Sequence, residues 1–325
     1  MAVVINTNVD SLKIQSLLTS STSKMSQSMQ RMSSGLKILS AKDDAAGTVI
    51  SAKMQVQLNG NQIAQKNVQN ANALLSTAEG NLDVIEDNIS RIRDLTLQAK
   101  NGTYSETEIK AMQDEVDERI KEIDRINNSA MYSSLRLFGE TTGTGNDIKD
   151  AGLAANGAIF QVGADAGDDN TITASNELFK SVEFTKMTGM KNFSLTMLAK
   201  ANDTTGGATK VSFTTGKYTT TLVESGDNAS KAKDYFDAAI QSLDSAISNI
   251  TDRKSIIGSA GNRMDSALAT LTTQYENLSS AKSIITDADI AAEASAFTQQ
   301  QILQQVSTSL LAQANQAPSI ALSLV

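Results

Sequence analysis

The chain has 325 residues, a formal net charge of −8, and no cysteine, histidine or tryptophan. Zero cysteines exclude a disulfide scaffold, thiolate zinc sites and thiol catalysis, and zero histidines remove the commonest general base and metal ligand. The acidic balance argues against nucleic acid as a partner, since phosphate binding needs a basic face. No stretch has the apolar length that spans a bilayer.

The opening MAVVINTNVDSLKIQSLL has a short VVI cluster but no basic n-region and no cleavage pattern. That composition implies cytoplasmic residence, or export by a route needing no removable signal peptide. From Leu18 the apolar positions step by fours and threes through Met25, Met29, Met32, Leu36 and Leu39, with Thr22 filling the missing step. This spacing predicts a coiled-coil seam, the alternative being an ordinary amphipathic helix. The seam is Met-rich and broken by Ser and Thr, so it should pack adaptably and weakly.

Arg31–Gly47, RMSSGLKILSAKDDAAG, ends that run and opens another. Ser40 and Asp43 stand at capping-box spacing, and Asp43 and Asp44 put negative charge where a new helix exposes its N–H groups. A similar punctuation recurs at Thr286-Asp287-Ala288-Asp289. Each mark lies about 40 residues from its own terminus, so the chain reads as two equal arms on a central body. A long helical region follows to about Ala99, its best stretch being Leu75, Ala78, Leu82, Ile85, Ile89 and Ile92. Lys100-Asn101-Gly102 signals a loop. Ser105 and Glu108 then form a capping box for a third helix, Glu106 to about Asn128.

The middle changes character. Between Gly139 and Gly226 lie 12 of the 19 glycines, among many Thr and Asp. β-type runs are expected at Ala158–Val162, Thr171–Thr173, Val182–Thr185 and Phe193–Leu198, with a hairpin over Val211–Val223 about Thr215-Gly216-Lys217. From Phe236 the four-three spacing returns through Ile240, Leu243, Ile247, Ile250 and Ile257 and on to Ile285, over about seven heptads. Lys254, Gly261 and Lys282 interrupt it. Beyond Thr286 the register shifts: Phe297, Ile302, Leu303, Val306, Leu310 and Leu311 cluster among Gln, Ser, Thr and Ala, with Asp287, Asp289 and Glu293 the only charges. The N-terminal arm carries Lys13, Lys24, Arg31 and Lys37 against Asp10. Basic and acidic arms of equal length invite antiparallel pairing.

Candidate chemistry is sparse. Asp165–Asn170 lacks the ligand alternation and terminal Glu of a calcium loop and reads as a turn between strands. Paired carboxylates such as Asp114-Glu115 and Asp117-Glu118 lie on the solvated face of a patterned helix. No Gly-rich phosphate loop joins a strand to a helix. These readings give no cofactor, no metal and no enzyme.

RMSSGLKILSAKDDAAG, the opening MAVVINTNVDSL and the closing ITDADIAAEASAFTQQQILQQVSTSLLAQANQAPSIALSLV together resemble bacterial flagellin. The resemblance covers residues 1–138 and 235–325, and more weakly Gln161–Ala164. It implies a mainly α fold in which both chain ends pair as a long antiparallel coiled coil, with a small β-rich central insert. Residues 1–42 with 286–325 would form an inner domain, disordered in the monomer, that orders on assembly. Residues 43–178 with 231–285 would form a helical shaft, and 179–230 a variable outer region. The inner assembly interface would use Leu18, Met25, Met29, Met32, Leu36, Ile302, Leu303, Val306, Leu310 and Leu311. The connection between domains would use Ser40, Lys42, Asp43, Asp44, Asp287 and Asp289.

The implied function is a self-assembling subunit of the extracellular flagellar filament. Such a subunit is exported unfolded through the flagellar export apparatus with a chaperone on its C-terminal arm, then assembled beside the filament cap and hook-junction proteins. A hook–filament junction protein of the same fold is the alternative. Ser90–Gln98 also matches the family segment read by an innate immune receptor, with Arg91, Leu95 and Glu115 on its key positions. Two departures stand out: the chain has no terminal Arg after Leu324-Val325, and Ala294–Gln299 replaces the family's commoner run.

Overall fold

The structure, a computed structural model, describes residues 8–101, 103–139, 153, 157–188, 193, 195, 209–214, 217–222 and 228–322. The helices among them are α1 Val9–Ser34, α2 Ala45–Lys100, α3 Glu106–Ser129, α4 Phe184–Thr188, α5 Asn228–Thr286 and α6 Ile290–Leu322. The strands pair as antiparallel hairpins: β1 Met131–Tyr132 with β2 Leu135–Arg136, β3 Ala158–Gln161 with β4 Thr171–Ala174, and β5 Thr209–Thr214 with β6 Lys217–Leu222. The fold is therefore mainly α, with α1 and α6 from the two chain ends packed together and a small β-rich insert. Contacts divide it into two compact units, Met1–Asn61 with Thr273–Val325, and Gln62–Thr272.

Helix ends follow local chemistry. At the start of α1, Asn8 Oδ1 accepts from the Ser11 amide at 3.0 Å. The helix stops at Gly35, whose left-handed φ of 71° lets its amide donate back to Arg31 O. Glycine alone takes that conformation without a Cβ penalty. Helix α3 starts on the expected capping box, with Ser105 and Glu108 bonded reciprocally. Helix α2 differs from expectation. Its first turn is capped by Asp44, which accepts from the Gly47 amide at 2.9 Å. Ser40 and Asp43 instead close a separate turn of the connector. Gly47 lies inside that first turn rather than at a bend; a Cβ there would sit 2.5 Å from Asp44 Oδ2 and 2.7 Å from Ile38 Cδ1.

In the unit Gln62–Thr272 the core is built as the spacing predicts for α2: Leu82, Ile85, Ile89 and Ile92 are fully buried against Val116 and Ile123 of α3 and Leu243 and Ile250 of α5. The α5 seam keeps the expected Phe236, Leu243, Ile250, Ile257, Met264 and Leu271 buried, but its alternate positions are offset. Ala239, Ala246 and Ala260 take the deepest alternate positions, while Ile240 and Ile247 flank them half-buried. Small residues let the helix backbones approach, and the larger neighbours close the sides.

The expected strand at Val182–Thr185 is absent. Asn127 Oδ1 accepts from the Val182 amide at 2.9 Å and Asp124 Oδ1 from the Phe184 amide at 3.1 Å, so α3 side chains take the backbone donors a sheet would have used and α4 starts there. Of the run Phe193–Leu198, residues 194 and 196–198 lie outside the described residues, as do Thr215 and Gly216 of the hairpin turn. The Asp165–Asn170 segment joins β3 to β4; Gln161 Nε2 donates to the carbonyls of Gly163 and Asp165 at 3.0 and 2.9 Å.

Candidate assembly surface

In the unit Met1–Asn61 with Thr273–Val325, α1 and α6 pair along most of their length. Their seam is small and polar. Leu18, Met25 and Met32 point into it, but the deepest residues are Ser21 and Ser28 on α1 and Ser307 on α6. Polar bonds fix the end nearer the chain termini: Asn8 Nδ2 donates to Ala314 O at 2.8 Å, and Ser11 Oγ to Asn315 Oδ1 at 2.8 Å. Toward the joint, Arg31 Nη1 meets Glu293 Oε1 at 3.0 Å, an ion pair that joins a basic arm to an acidic one. Lys13 and Lys24 point to solvent.

The bulky apolar residues face outward. Ile302 is 55% exposed, with Leu303, Val306 and Leu310 beside it, and Met29 is 51% exposed on α1. Leu36 is exposed as well, and Leu311 is half-buried. Spacing had placed Thr22, Met29 and Leu36 in the intramolecular seam; the structure moves two of these positions by one residue, to Ser21 and Ser28, because small side chains fit the deepest places between closely packed helices. The outward set extends to Val9, Leu12 and Leu17 on α1, to Val49, Ile50 and Val56 on α2, and to Ile284 at 78% exposure on α5. These additions stand outside the heptad positions, where the four-three pattern gives no signal. A shallow groove of about 580 Å³ on α6 is lined by Ala294, Ser295, Thr298, Gln299, Ile302 and Leu303.

Leu58 alone is buried among the described hydrophobic residues of this unit. An unpartnered helix pair of this kind has little hydrophobic stabilisation of its own. Its surplus apolar surface is the mark of an interaction surface.

The two punctuation marks meet within the same unit. Lys37 N donates to Thr286 O at 2.7 Å and Ala288 N to Gly35 O at 2.9 Å, with Leu36 and Asp287 bridged between them. Asp43 Oδ2 accepts from the amides of Leu39 and Ser40. The Ser40 backbone bond leads the causes that hold the Asp43 carboxyl below its usual range. Asp287 is held below its range in the same way, first by the Ser283 hydroxyl at 2.6 Å and then by Thr286. Asp289 caps α6 through the amides of Ala291 and Ala292. Lys42 is exposed on the connector.

The third set of candidate residues lies in the unit Gln62–Thr272. Arg91 forms a bidentate pair with Glu115, Nε to Oε1 at 2.9 Å and Nη2 to Oε2 at 3.2 Å. Arg119 joins Glu115 at 3.1 Å and reaches Asn88 Oδ1 at 3.1 Å. The Arg91 bond leads the causes that hold the Glu115 carboxyl below its usual range. Leu95, by contrast, is only 2% exposed and belongs to the core, so it is removed from a surface patch with Arg91 and Glu115. Its i, i+4 relation to Arg91 placed the two on one side of α2, but that helix is covered by α3 and α5 just where Leu95 points.

Among the described residues no group of acidic side chains could hold a metal ion, and no helix is long and apolar enough to cross a membrane.

Comparison with known proteins gives two family matches. Residues 5–142 match the bacterial flagellin N-terminal helical region and residues 240–325 the C-terminal helical region. The chain is 35% identical to a flagellin of Xenorhabdus nematophila over 326 residues, covering 100% of both chains. It is 36% identical to one of Serratia marcescens over 355 residues, again with 100% of both covered. A flagellin of Bacillus subtilis (strain 168) is 33% identical over 326 residues, 99% of each chain. Among solved structures, one described as a flagellar hook-associated protein from Vibrio parahaemolyticus superimposes with a TM-score of 0.51 at 15% identity. It covers 75% of this chain and 99% of its own; that similarity is one of fold alone.

Proposed function

The chain belongs to the flagellin family of structural proteins and is a self-assembling subunit of the extracellular flagellar filament; from that premise we propose how its surfaces divide the work. One observation carries the reading: among its described residues, the unit built from the chain ends buries a single large apolar side chain and turns more than a dozen outward. Neighbouring copies cover that surface. Ile302, Leu303, Val306 and Leu310 are the α6 contacts, and Met29 and Leu36 are those of α1, with Leu18, Met25, Met32 and Leu311 holding the arms to each other.

The inner domain comprises residues 1–42 with 286–325, the shaft 43–178 with 231–285, and the outer region 179–230. The connector residues Ser40, Lys42, Asp43, Asp44, Asp287 and Asp289 mark the joint, where the backbone of residues 35–37 pairs with that of 286–288. Before assembly, the same apolar face of α6 suits an export chaperone, which would keep it covered as the subunit reaches the export apparatus and later the filament cap and hook-junction proteins. The junction-protein reading has only the shared fold in its support.

The exposed Arg91–Glu115 pair is proposed as the contact for an innate immune receptor, without Leu95. Both charges lie at the surface, so removing them should leave the fold and the filament intact. Filaments of the Arg91→Ala, Glu115→Ala variant should form normally and lose most of their signalling in a receptor-reporter assay. Unchanged signalling would contradict the patch, and loss of filaments would reassign the pair to assembly.

A further inference from the structure

Helix α5 buries an almost unbroken apolar face, with Leu243, Ala246, Ile250, Ile257, Ala260 and Met264 all inside. Between Ile250 and Ile257, where the repeat asks for one more small and one more large apolar residue, the chain has Arg253 and Lys254. Both are engaged. Lys254 Nζ lies 2.6 Å from Asp83 Oδ1 and 3.0 Å from Glu86 Oε2 on α2. Arg253 Nη1 donates to the Lys180 carbonyl at 2.9 Å. Burial pushes the Arg253 guanidinium down, against the opposing charge of Glu177. Asp83 and then Glu86 hold the Lys254 ammonium well above the ordinary lysine range.

Lys254 and Asp83 form one rung of a ladder between the two helices. Asn72 Nδ2 donates to Asp265 Oδ1 at 3.1 Å, Arg93 pairs with Asp244, and Lys100 pairs with Asp237. The two residue numbers of every rung add to the same total, as an antiparallel helix pair in one register requires. Each rung is half-exposed and worth little as a stabiliser. Their information lies in the order of signs along the pair. A hydrophobic seam of heptads is nearly degenerate to a slip of one heptad, because apolar residues meet apolar residues again.

The charges are not degenerate. Slipping one way puts Ser90 and Arg93 in the places that Asp83 and Glu86 hold opposite Lys254, a cation against a cation. Slipping the other way puts Ser76 and Glu79 there, with one carboxylate in place of two. In the first slip Asp265 also meets Glu79, and in the second Asp83 meets Ile247. A polar residue at one seam position is a known device for excluding wrong registers at a cost in stability.

We propose that Lys254, set into the apolar face of α5 between Asp83 and Glu86, is a positioning residue that locks the register of the α2–α5 pair. The proposal does not depend on the assembly reading, since it concerns the single subunit.

The chain has no cysteine, so two introduced ones can be spin-labelled without interference. With Ser76→Cys on α2 and Ser259→Cys on α5, both exposed, pulsed electron resonance on the full-length subunit should give one narrow distance. Adding Lys254→Met should keep or raise Tm and produce a second, longer distance population, because a slip of one heptad carries one label about 10 Å along the helix axis. Lys254→Arg should restore the single distance. Should Lys254→Met fail to fold, the Asp83→Asn, Glu86→Gln pair removes the same interaction from the other side and should give the same second population. A single unchanged distance in whichever of these variants folds, whatever its Tm, overturns the lock.

Discussion

Replacing Ile302 and Leu310 by Asp should abolish filament formation while leaving the subunit's thermal unfolding unchanged. Both side chains are about half exposed on α6 and contribute almost nothing to the unit in isolation. In a filament that buries their exposed halves against neighbours, each would contribute about 1–1.5 kcal/mol of transfer free energy. Aspartate forfeits that and adds a carboxylate to a surface with few countercharges, since no Lys or Arg lies beyond Lys282. Every 1.4 kcal/mol is about tenfold in an association constant, so the concentration needed for polymer should rise roughly a hundredfold or more. Sedimentation after seeding, with Tm measured on the same samples, reads both quantities. Polymer at the wild-type concentration would remove α6 from the interface.

The second large effect is on the shaft. Leu82→Ala should cost about 2–5 kcal/mol of unfolding free energy. Leu82 is fully buried on α2 within the cluster that also holds Ile85, Ile89, Val116 and Leu243, so the deleted methyl groups leave a cavity lined from three helices. For a unit of this size each kcal/mol lowers Tm by about 2–4 °C, so a loss of roughly 5–20 °C is expected by calorimetry. Ile302→Ala, which removes as large a side chain from an exposed site, should change Tm by little. Equal effects at the two positions would deny the contrast between a finished shaft core and an unfinished arm.

That contrast was half legible in the sequence. Element type was plain wherever the apolar period was strong: α2 and α5 were read from Leu75–Ile92 and Phe236–Ile285, and α3 from the Ser105–Glu108 box. Alternate seam positions were misplaced by one residue in both α1 and α5 for one reason, while Leu243, Ile250 and Ile257 fell where expected. Periodicity assigns the seam to the bulky residue of each adjacent pair, Met29 over Ser28 and Ile240 over Ala239, whereas close helix packing gives the deepest place to the smaller one. A reading that asked which small residues recur at multiples of seven would have found Ser21 and Ser28, and Ala239, Ala246 and Ala260.

The site was legible as a region more than as a set of side chains. The joint at Arg31–Gly47 and Thr286–Asp289 was located from punctuation, and its cross-strand bonds follow. The capping role passed from Ser40 to Asp44 because box spacing does not say which of two adjacent carboxylates meets the first free amides. Val182–Thr185 was read as a strand from β-branched and aromatic content; tertiary hydrogen bonds donated by the Val182 and Phe184 amides to Asn127 and Asp124 override that preference, and no local pattern reports them. Leu95 matched a surface motif by position, yet its burial depends on α3 and α5, which lie far along the chain.

The central claim is that the unit formed by the chain ends is completed only by other copies. Hydrogen exchange measured by mass spectrometry on free subunit and on assembled filament tests it most directly. Peptides from Val9–Ser34 and Ile290–Leu322 should exchange fast in the subunit and become strongly protected in the filament. Peptides spanning Leu82–Leu95 should be protected in both. Arms that are equally protected before and after assembly would contradict the account, as would arms that stay unprotected in the filament.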